Sequence, residues 1–291
     1  MKFTELVRQG QINLVKAGIQ NADNDAWILM ETICHVSKVD YFTKMREEVP
    51  KEYEEEYFKA IAKRTTRYPL QYIIGEWEFM GLRFKVNENV LIPRQDTEVL
   101  VEYAIRNIVE ESAKKGVKLD VLDMCTGTGC IGITIAKNCP DVFVTGVDIS
   151  EEAVDIAREN AVINNVSNIK FIRSNLFQKL GDDINRVYRQ YDIIVSNPPY
   201  IKSSEIDKLM PEVKNHEPRL ALDGSEDGLE FYRRISIQSL HHLKTDGCIL
   251  FEIGYDQAKP VLELMVRDGY RDLKTIKDLT GKDRVIVAHK W

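Results

Sequence analysis

The sequence has few cysteines and no excess of basic residues, and each shortage disfavours a class of protein. Its five cysteines are an odd number and form no Cys-x-x-Cys pair. We therefore expect reduced thiols, with neither a disulfide framework nor a metal site. The formal net charge is −6, which disfavours a protein that depends on phosphate contacts and hence predicts no stable nucleic-acid binding.

Long apolar runs are also missing. No stretch approaches the length of a membrane span, and the first residues begin a charged, helix-like pattern without the apolar core of a secretory signal. We therefore expect a cytoplasmic, monomeric protein with no membrane partner. Hydrophobic residues make up 44% of the 291-residue chain, enough for one large domain or for a large and a small one.

Two regions differ in their patterns. Residues 1–70 are predicted to form a small helical domain, because apolar side chains recur at helical spacing from Leu6 to Ile19 and again from Trp27 to Cys34. Residues 71–94 are predicted to form a β-hairpin linker, because the stretch from Tyr72 to Val86 is aromatic and β-branched, with glycines at turn positions.

Strands and helices alternate over residues 95–291, the third predicted region. This order predicts an α/β fold with a mostly parallel sheet and helices on both faces. The predicted strands end at Asp123, Asp148, Ser174, Ser196 and Ile253, with helices at Glu151–Asn164 and Glu226–Leu243 and a closing antiparallel pair at Lys274–Lys277 and Arg284–His289. Ligands of such sheets bind at the carboxyl ends of the strands.

A glycine-rich turn follows the first of these strands. It contains Asp123, Cys125, Thr126, Gly127, Thr128 and Gly129. Glycines let a backbone turn tightly and approach a ligand closely. Asp148, at the end of the next strand, could accept hydrogen bonds from both hydroxyls of a ribose. Asn175 and Leu176, after the third strand, could hold an adenine ring.

The same glycines also fit the fingerprint of dinucleotide-binding proteins, so a nicotinamide oxidoreductase is an alternative. Asp123 disfavours it, because a carboxylate inside the turn would repel a pyrophosphate. The same carboxylate could instead face the cationic amino-acid part of S-adenosylmethionine.

The fourth strand runs directly into Asn197-Pro198-Pro199-Tyr200. Pro198 keeps Asn197 out of the helical region, and the two prolines stiffen the turn. The Asn197 side-chain oxygen and the Pro198 carbonyl oxygen then suit a planar NH2 group, and Tyr200 can cover its flat face. The alternative interpretation is a stiff surface turn.

This arrangement predicts methyl transfer to nitrogen. An amide or exocyclic amine nitrogen is a poor nucleophile, because its lone pair is delocalised. Holding both of its hydrogens aims the nitrogen at an activated methyl group and favours pyramidalisation during attack. We therefore predict an S-adenosylmethionine-dependent N-methyltransferase that needs no metal. A non-catalytic nucleotide-binding protein is another alternative, which the intact turn and Asp148 disfavour.

These motifs resemble the HemK/PrmC family, the methyltransferases that modify glutamine in peptide-chain release factors. The resemblance spans the whole chain and also includes Leu91–Glu98, Glu217-Pro218, Ala221-Leu222 and Asp283–Val285. It implies a class I, Rossmann-like methyltransferase domain and an N-terminal domain that docks the release factor. The substrate implied is the glutamine of the Gly-Gly-Gln motif, held by Asn197–Tyr200. An amino-methyltransferase acting on adenine or guanine of nucleic acid is the alternative.

The resemblance also implies that Cys125–Gly129, Asp148, Leu176 and Asn197 contact the cofactor. Cys125 stands where the family usually has a glycine, and its backbone contacts would survive at a negative φ. Leu176 stands where an aromatic side chain is common, so adenine packing would be looser.

Three charged residues at the end of the Leu91–Glu98 block allow two interpretations. Arg94, Asp96 and Glu98 could cap the helix that begins near Thr97, or they could shape the mouth of the active site.

Overall fold

A computed structural model of the protein describes residues 1–182 and 187–291. It divides the chain into two compact units, Met1–Glu76 with Met210–His216, and Trp77–Leu209 with Glu217–Trp291. The smaller unit is helical. Its elements are α1 (Phe3–Lys16), α2 (Ala22–Cys34), α3 (Lys38–Lys44), α4 (Lys51–Thr65), α5 (Leu70–Ile74) and α10 (Pro211–Lys214).

The larger unit contains the strands and the remaining helices. Its strands are β1 (Glu76–Phe79, which starts in the smaller unit), β2 (Leu82–Lys85), β3 (Leu119–Met124), β4 (Val142–Asp148), β5 (Ile169–Arg173), β6 (Gly181–Asp182), β7 (Val187–Tyr188), β8 (Tyr191–Ser196), β9 (Leu243–Glu252), β10 (Arg271–Lys277) and β11 (Asp283–His289). Its helices are α6 (Asp96–Lys115), α7 (Cys130–Asn138), α8 (Glu151–Ile163), α9 (Ser203–Ile206), α11 (Arg219–Leu222), α12 (Glu230–His242), α13 (Ala258–Arg267) and the 3₁₀ turn Leu176–Lys179.

The helical unit packs around a shared apolar core. Leu6, Leu29, Tyr57 and Ile61 are buried in it. The segment Met210–His216 joins this unit through an ion pair of Arg64 Nη1 with Glu212 Oε1 at 3.1 Å. Arg64 Nε also bonds Asp25 at 2.7 Å, so this buried cation is paired on both sides, as a buried charge requires.

The larger unit is built on a seven-stranded sheet in the order β10-β11-β9-β8-β3-β4-β5. The pairs β5–β4, β4–β3, β3–β8 and β8–β9 are parallel, and β9–β11 and β11–β10 are antiparallel. One apolar cluster covers each face, which explains why the central strands are apolar throughout. The predicted fold class, a class I methyltransferase sheet with an N-terminal helical region, is confirmed.

The order of the strands reverses at β3, which lies between β4 and β8. Chain connections leave the sheet in opposite directions at such a position, and a crevice opens beyond the strand ends. Asp148 and Ser196 end the two strands that flank β3. The predicted ligand residues are therefore brought to one edge of the sheet.

The predicted hairpin linker is corrected in two ways. Tyr72-Ile73-Ile74 is the end of helix α5, which stops at Gly75 in the left-handed region, and not the start of a strand. The hairpin β1–β2 itself packs into the core of the larger unit, where Phe79 and Phe84 are buried. It is tied to α8 by a bond from the Lys85 amide to Asn160 Oδ1 at 2.6 Å.

Among the described residues, no helix combines the length and the apolar character needed to cross a membrane. In the same part of the chain, no three His, Cys, Asp or Glu side chains group as a metal site would require.

Candidate active site

A cavity of about 240 Å³ lies beyond the carboxyl ends of the central strands. Backbone turns and the first residues after each strand form its wall. It is lined by Asn89, Val90, Leu91, Met124, Cys125, Gly127, Val147, Asp148, Ile149, Ser150, Ala153, Ser174, Asn175, Leu176, Asn197, Pro199, Pro218, Leu220, Ala221, Phe231 and Arg234. We refer to it as the strand-end cavity.

Asp148 is the acidic group of this cavity. Its Oδ2 accepts a hydrogen bond from the Gly127 amide at 2.9 Å, and its Oδ1 accepts one from the Ser150 amide at 3.1 Å. Burial raises the pKa of Asp148, and these two bonds oppose that rise. The bonds fix the carboxylate in place on the wall of the cavity.

The glycine turn leaves space on its cavity side at Gly127. This residue has a φ of +53°, and nothing lies within 4 Å of the position a Cβ would occupy. Gly129 differs, because a Cβ there would meet Ile133 Cδ1 at 2.8 Å. Gly127 therefore leaves room for a ligand, whereas Gly129 serves the packing of the protein itself. With Asp148 beside this open position, the wall fits a ribose-bearing cofactor.

Asp123 lies behind the turn and does not line the cavity. Its side chain is fully buried, and its Oδ2 accepts bonds from the Thr126 hydroxyl and from the Gly132 amide, the latter at 3.0 Å. Burial raises the pKa of Asp123 from 3.8 to about 7, against those two bonds. The structure thus gives Asp123 the role of tying the turn together, rather than that of facing a cationic ligand.

An aromatic residue lines the cavity near Leu176 and Asn175. Phe231 comes from α12 and was not singled out from the sequence. One turn further on, Arg234 Nη2 donates to Asn175 Oδ1 at 3.0 Å. The helical spacing of these two residues was a usable signal, but only the fold shows that α12 reaches this cavity.

The turn Asn197–Tyr200 follows β8 at the other side of β3. Asn197 and Pro199 line the cavity, whereas Pro198 and Tyr200 do not. The Ser196 hydroxyl donates to the Met124 carbonyl at 2.7 Å, which joins the base of this turn to the base of the glycine turn. The glycine turn with Asp148 and the turn Asn197–Tyr200, which the sequence predicted separately, therefore lie at one site.

Two buried residues that sequence reasoning missed hold the backbone of this turn. Gln257 Nε2 donates to the Tyr200 carbonyl at 3.0 Å. Gly224 lies so close that a Cβ on it would fall 2.8 Å from Tyr200 Cα. The Ile201 amide also donates a hydrogen bond to the Leu222 carbonyl oxygen at 3.0 Å. These contacts hold the end of the turn, at Tyr200 and Ile201.

The Asn197 side chain has its own partner in the first turn of α6. Its Nδ2 donates to Thr97 Oγ1 at 3.2 Å. Thr97 is 2% exposed, and Glu252 at the end of β9 is 1% exposed. The Tyr200 hydroxyl lies 3.4 Å from Glu252 Oε1. Sequence reasoning named Thr97 only as a helix start and did not consider Glu252.

Comparison with known proteins agrees with this arrangement. A model described as the PrmC N-terminal domain matches residues 5–75, and one described as the methyltransferase small domain matches residues 101–220. The chain is 40% identical to the release factor glutamine methyltransferase of Thermodesulfovibrio yellowstonii over 293 residues, 99% of this chain and 97% of that protein. This chain belongs to the release factor glutamine methyltransferase family.

Two other relatives support the same placement, and one solved structure shares the fold. The release factor glutamine methyltransferase of Fusobacterium nucleatum is 43% identical over 95% of this chain and 76% of its own length, and that of Clostridium botulinum is 39% identical over all of both chains. The hMettl16 catalytic domain, solved with the MAT2A 3′UTR hairpin 1, is 15% identical, covers 89% of this chain and 87% of its own, and has a TM-score of 0.56. That likeness shows the fold alone.

The two departures from the family pattern have structural outcomes. Cys125 has a φ of +64°, so the negative φ on which its backbone contacts were expected to depend is absent. This conformation favours glycine and explains the usual residue there. Leu176, 5% exposed, also lies at a positive φ of 49°, and Phe231 supplies an aromatic side chain to the same cavity.

The charged residues of the Leu91–Glu98 block pair with other parts of the larger unit. Arg94 forms an ion pair with Glu217, and Asp96 pairs with Arg284 at 2.9 Å. No side chain caps α6, whose N-cap is Gln95. Of the two interpretations of these residues, the structure thus disfavours capping by their side chains and shows pairs that fix the segments around the cavity.

The predicted cofactor residues fall into two groups. Cys125, Gly127, Asp148, Asn175, Leu176 and Asn197 line the cavity. Asp123, Thr126, Thr128 and Gly129 are buried behind it.

Proposed function

We propose that the protein transfers the methyl group of S-adenosylmethionine to the side-chain amide nitrogen of the glutamine in the Gly-Gly-Gln motif of peptide-chain release factors. The observation that carries the proposal is the shared cavity, in which Asn197 and Pro199, after β8, lie together with Gly127, after β3, and Asp148, at the end of β4. Membership of the release factor glutamine methyltransferase family supports the choice of substrate.

The cofactor would occupy the wall formed by the glycine turn and Asp148. Asp148 would accept hydrogen bonds from the ribose hydroxyls, and Leu176, Asn175 and Phe231 would surround the adenine. Gly127 supports this assignment, because it lines the cavity and leaves room there for a ligand. S-adenosylmethionine supplies a methyl group that its sulfonium already activates.

The turn Asn197–Tyr200 would bind the glutamine amide. Asn197 Oδ1 and the Pro198 carbonyl oxygen would accept one N–H each, and the Tyr200 ring would cover the amide plane from beside the cavity, which Pro198 and Tyr200 do not line. Two held hydrogens orient the nitrogen lone pair toward the methyl group, which lowers the entropic part of the barrier. The nitrogen becomes acidic only when it is alkylated, so its proton leaves after attack and no strong base is needed beforehand.

The helical unit would also have a role in this function. We assign residues 1–70 to docking of the release factor, because the PrmC N-terminal domain model matches this region. The active unit would be a single chain acting in the cytoplasm. The acidic net charge of −6 supports a protein substrate over nucleic acid.

Methylation assays with labelled S-adenosylmethionine test this function. The substrates are a release factor, its variant with the Gly-Gly-Gln glutamine changed to asparagine, DNA and RNA. We expect label on the wild-type factor alone, and peptide mass spectrometry should place one added methyl group on that glutamine. Label on nucleic acid with none on the release factor would instead favour an adenine or guanine amino-methyltransferase.

A further inference from the structure

Gln257 is a buried amide that forms hydrogen bonds at both of its ends. It is the N-cap residue of α13 and is 6% exposed. Its Oε1 accepts a hydrogen bond from the Gly254 amide at 3.0 Å, and the Tyr232 hydroxyl lies 3.5 Å from the same oxygen. Its Nε2 donates to the Tyr200 carbonyl at 3.0 Å and to the Gly228 carbonyl at 3.2 Å. Both hydrogens of the NH2 group are therefore bound to backbone carbonyls.

The backbone partners fix the orientation of the Gln257 amide. A backbone N–H only donates and a carbonyl only accepts, so Gly254 selects the oxygen of the amide, and Tyr200 and Gly228 select its NH2 group. A reversed amide would place its oxygen against two carbonyls and its NH2 group against an N–H. It would leave buried polar groups without partners, which costs free energy.

Two glycines leave the room that this amide needs. A Cβ on Gly254 would fall 2.9 Å from Gln257 Oε1. A Cβ on Gly228 would fall 2.8 Å from Gln257 Nε2 and 2.5 Å from the Tyr200 carbonyl oxygen. Contacts this short leave no space for a side chain, so the bonds of Gln257 depend on a bare Cα at both positions.

The amide joins three segments of the larger unit at one point. Gly254 follows β9, Gly228 precedes α12, and Tyr200 ends the turn that follows β8. The two prolines of that turn have no backbone N–H to donate, and they make the turn stiff. A shift of the Tyr200 backbone would therefore move the Tyr200 ring and the neighbouring Pro198 carbonyl together.

We propose that Gln257 is a positioning residue for methyl transfer, which holds the Tyr200 backbone so that the substrate amide meets the turn in the orientation that attack requires. The inference rests on the proposed function, because a fixed turn matters for turnover only if the turn holds the nitrogen. Gln257 does not line the strand-end cavity, so it acts through the turn. Loss of its donor should therefore lower kcat and leave the affinity for both substrates nearly unchanged.

Gln257→Met tests the donor, because the side chain keeps a similar length and loses its NH2 group. We expect kcat for the release factor to fall by about 10-fold to 30-fold, with its KM and the Kd for S-adenosylmethionine within about 3-fold of wild type. Gln190→Met is the matched control, because Gln190 is exposed and directly precedes β8, at the opposite end of that strand. A Gln257→Met enzyme with wild-type kcat, or one that loses kcat and cofactor affinity equally, would overturn the proposal.

Gln257→Glu gives a second test through pH. An ionised carboxylate cannot donate to the Tyr200 carbonyl, whereas a protonated carboxyl supplies one O–H donor. The buried position should raise the pKa of that carboxyl, with Asp256 adding to the rise and Lys202 opposing it. The ratio of the kcat of this variant to that of wild type should therefore increase as the pH falls from about 8.5 to about 6. This ratio cancels the titration of groups that both enzymes share, and a constant ratio would contradict the donor role.

A measurement without substrate separates this inference from the proposed function. In ¹⁵N-labelled protein, the side-chain amide hydrogens of Gln257 should exchange with solvent far more slowly than those of Gln190. Gln257→Met should shift the backbone amide signals of Ile201 and Leu229, whose nitrogens adjoin the two bound carbonyls. Fast exchange or unchanged signals would contradict the proposal. If the wild-type enzyme leaves release factors unmethylated, the proposed function fails, while these signals still decide whether Gln257 holds the turn.

Discussion

Two parts of the strand-end cavity are built in different ways: the turn Asn197–Tyr200, which we call the acceptor turn, and the glycine turn with Asp148, Asn175 and Leu176, which we call the cofactor wall. Asn197–Tyr200 is held by side-chain hydrogen bonds of defined direction, from Gln257 to Tyr200 and from Asn197 to Thr97. The cofactor wall is formed largely by backbone turns and apolar side chains around one carboxylate, Asp148. The acceptor turn places individual hydrogen-bonding atoms at fixed positions, whereas the cofactor wall provides a surface of a certain shape.

This difference explains where the chain tolerates departures from its family pattern. Both departures, Cys125 and Leu176, lie in the cofactor wall. A neighbouring side chain can restore such a shape, and Phe231 lines the same cavity as Leu176. A reversed or displaced amide at Asn197 has no such substitute. Changes at the turn should therefore reduce turnover, and changes at the wall should reduce cofactor affinity.

Among variants that keep the Asn197 side chain, the largest effect is expected from Gly224→Ala. A Cβ at this position would fall 2.8 Å from Tyr200 Cα, so the backbone of the acceptor turn must move. A displacement near 1 Å can cost about 100-fold in rate, and we expect that loss in kcat with little change in cofactor Kd. Gly281→Ala, in the turn between β10 and β11, is the control for a lost glycine. Equal losses in kcat and in cofactor binding would contradict the separation of the acceptor turn from the cofactor wall.

Asp148→Asn should show the opposite pattern. The amide keeps one oxygen but cannot accept bonds at its nitrogen, so about 30-fold weaker S-adenosylmethionine binding is expected. At saturating cofactor, kcat should stay within a few-fold of wild type. Calorimetric titration measures the Kd, and Asp155→Asn on the exposed face of α8 is the control. An unchanged Kd would remove Asp148 from the cofactor site.

Asp123 is predicted to affect the stability of the protein in a pH-dependent way. Its folded pKa of about 7 lies above its ordinary value of 3.8, so its contribution to stability is present at low pH and is lost as the pH rises through about 7. Asp123→Asn carries no such charge. The melting temperature of the variant relative to wild type should therefore increase by a few degrees, on the order of 2–4 °C, from pH 5 to pH 8. A constant difference, as expected for Asp155→Asn, would contradict the buried charge.

The smallest effect is expected from Cys125→Gly. At a φ of +64° a Cβ costs about 1–2 kcal/mol, and the greater freedom of glycine in the unfolded chain offsets about half of that. We expect the free energy of unfolding to rise by about 0.5 kcal/mol, with a cofactor Kd within about 3-fold of wild type. Chemical denaturation measures the former. A lower stability would show that the thiol contributes packing that outweighs the strain.

Much of the fold could be predicted from the sequence. The ends of the central strands were predicted within one residue, because buried parallel strands are continuous apolar runs that stop at polar residues. The strand predicted at Tyr72-Ile73-Ile74 was wrong. Aromatic and β-branched residues favour strands locally, but here the burial of Leu70 and Tyr72 stabilises a helix. A local pattern carries no information on such packing.

The site was predictable where its residues adjoin in sequence and not where they meet across the fold. The glycine turn, Asp148 and Asn197–Tyr200 are local motifs. Thr97 and Asn197 are far apart in the chain and meet only because α6 packs against β8, and Glu252 meets Tyr200 only because β9 pairs with β8. The placement of Asp123 behind the turn was missed for the same reason, since the side of a turn that a carboxylate faces depends on the tertiary structure.

The most direct test of this account compares Asn197→Ala with wild type in two assays on the same preparation. Single-turnover methylation of a release factor should be abolished, while the Kd for S-adenosylmethionine should remain close to that of wild type. A variant that still methylates the release factor, or one that loses methylation and cofactor binding equally, would contradict the claim that this side chain holds the nitrogen to be methylated.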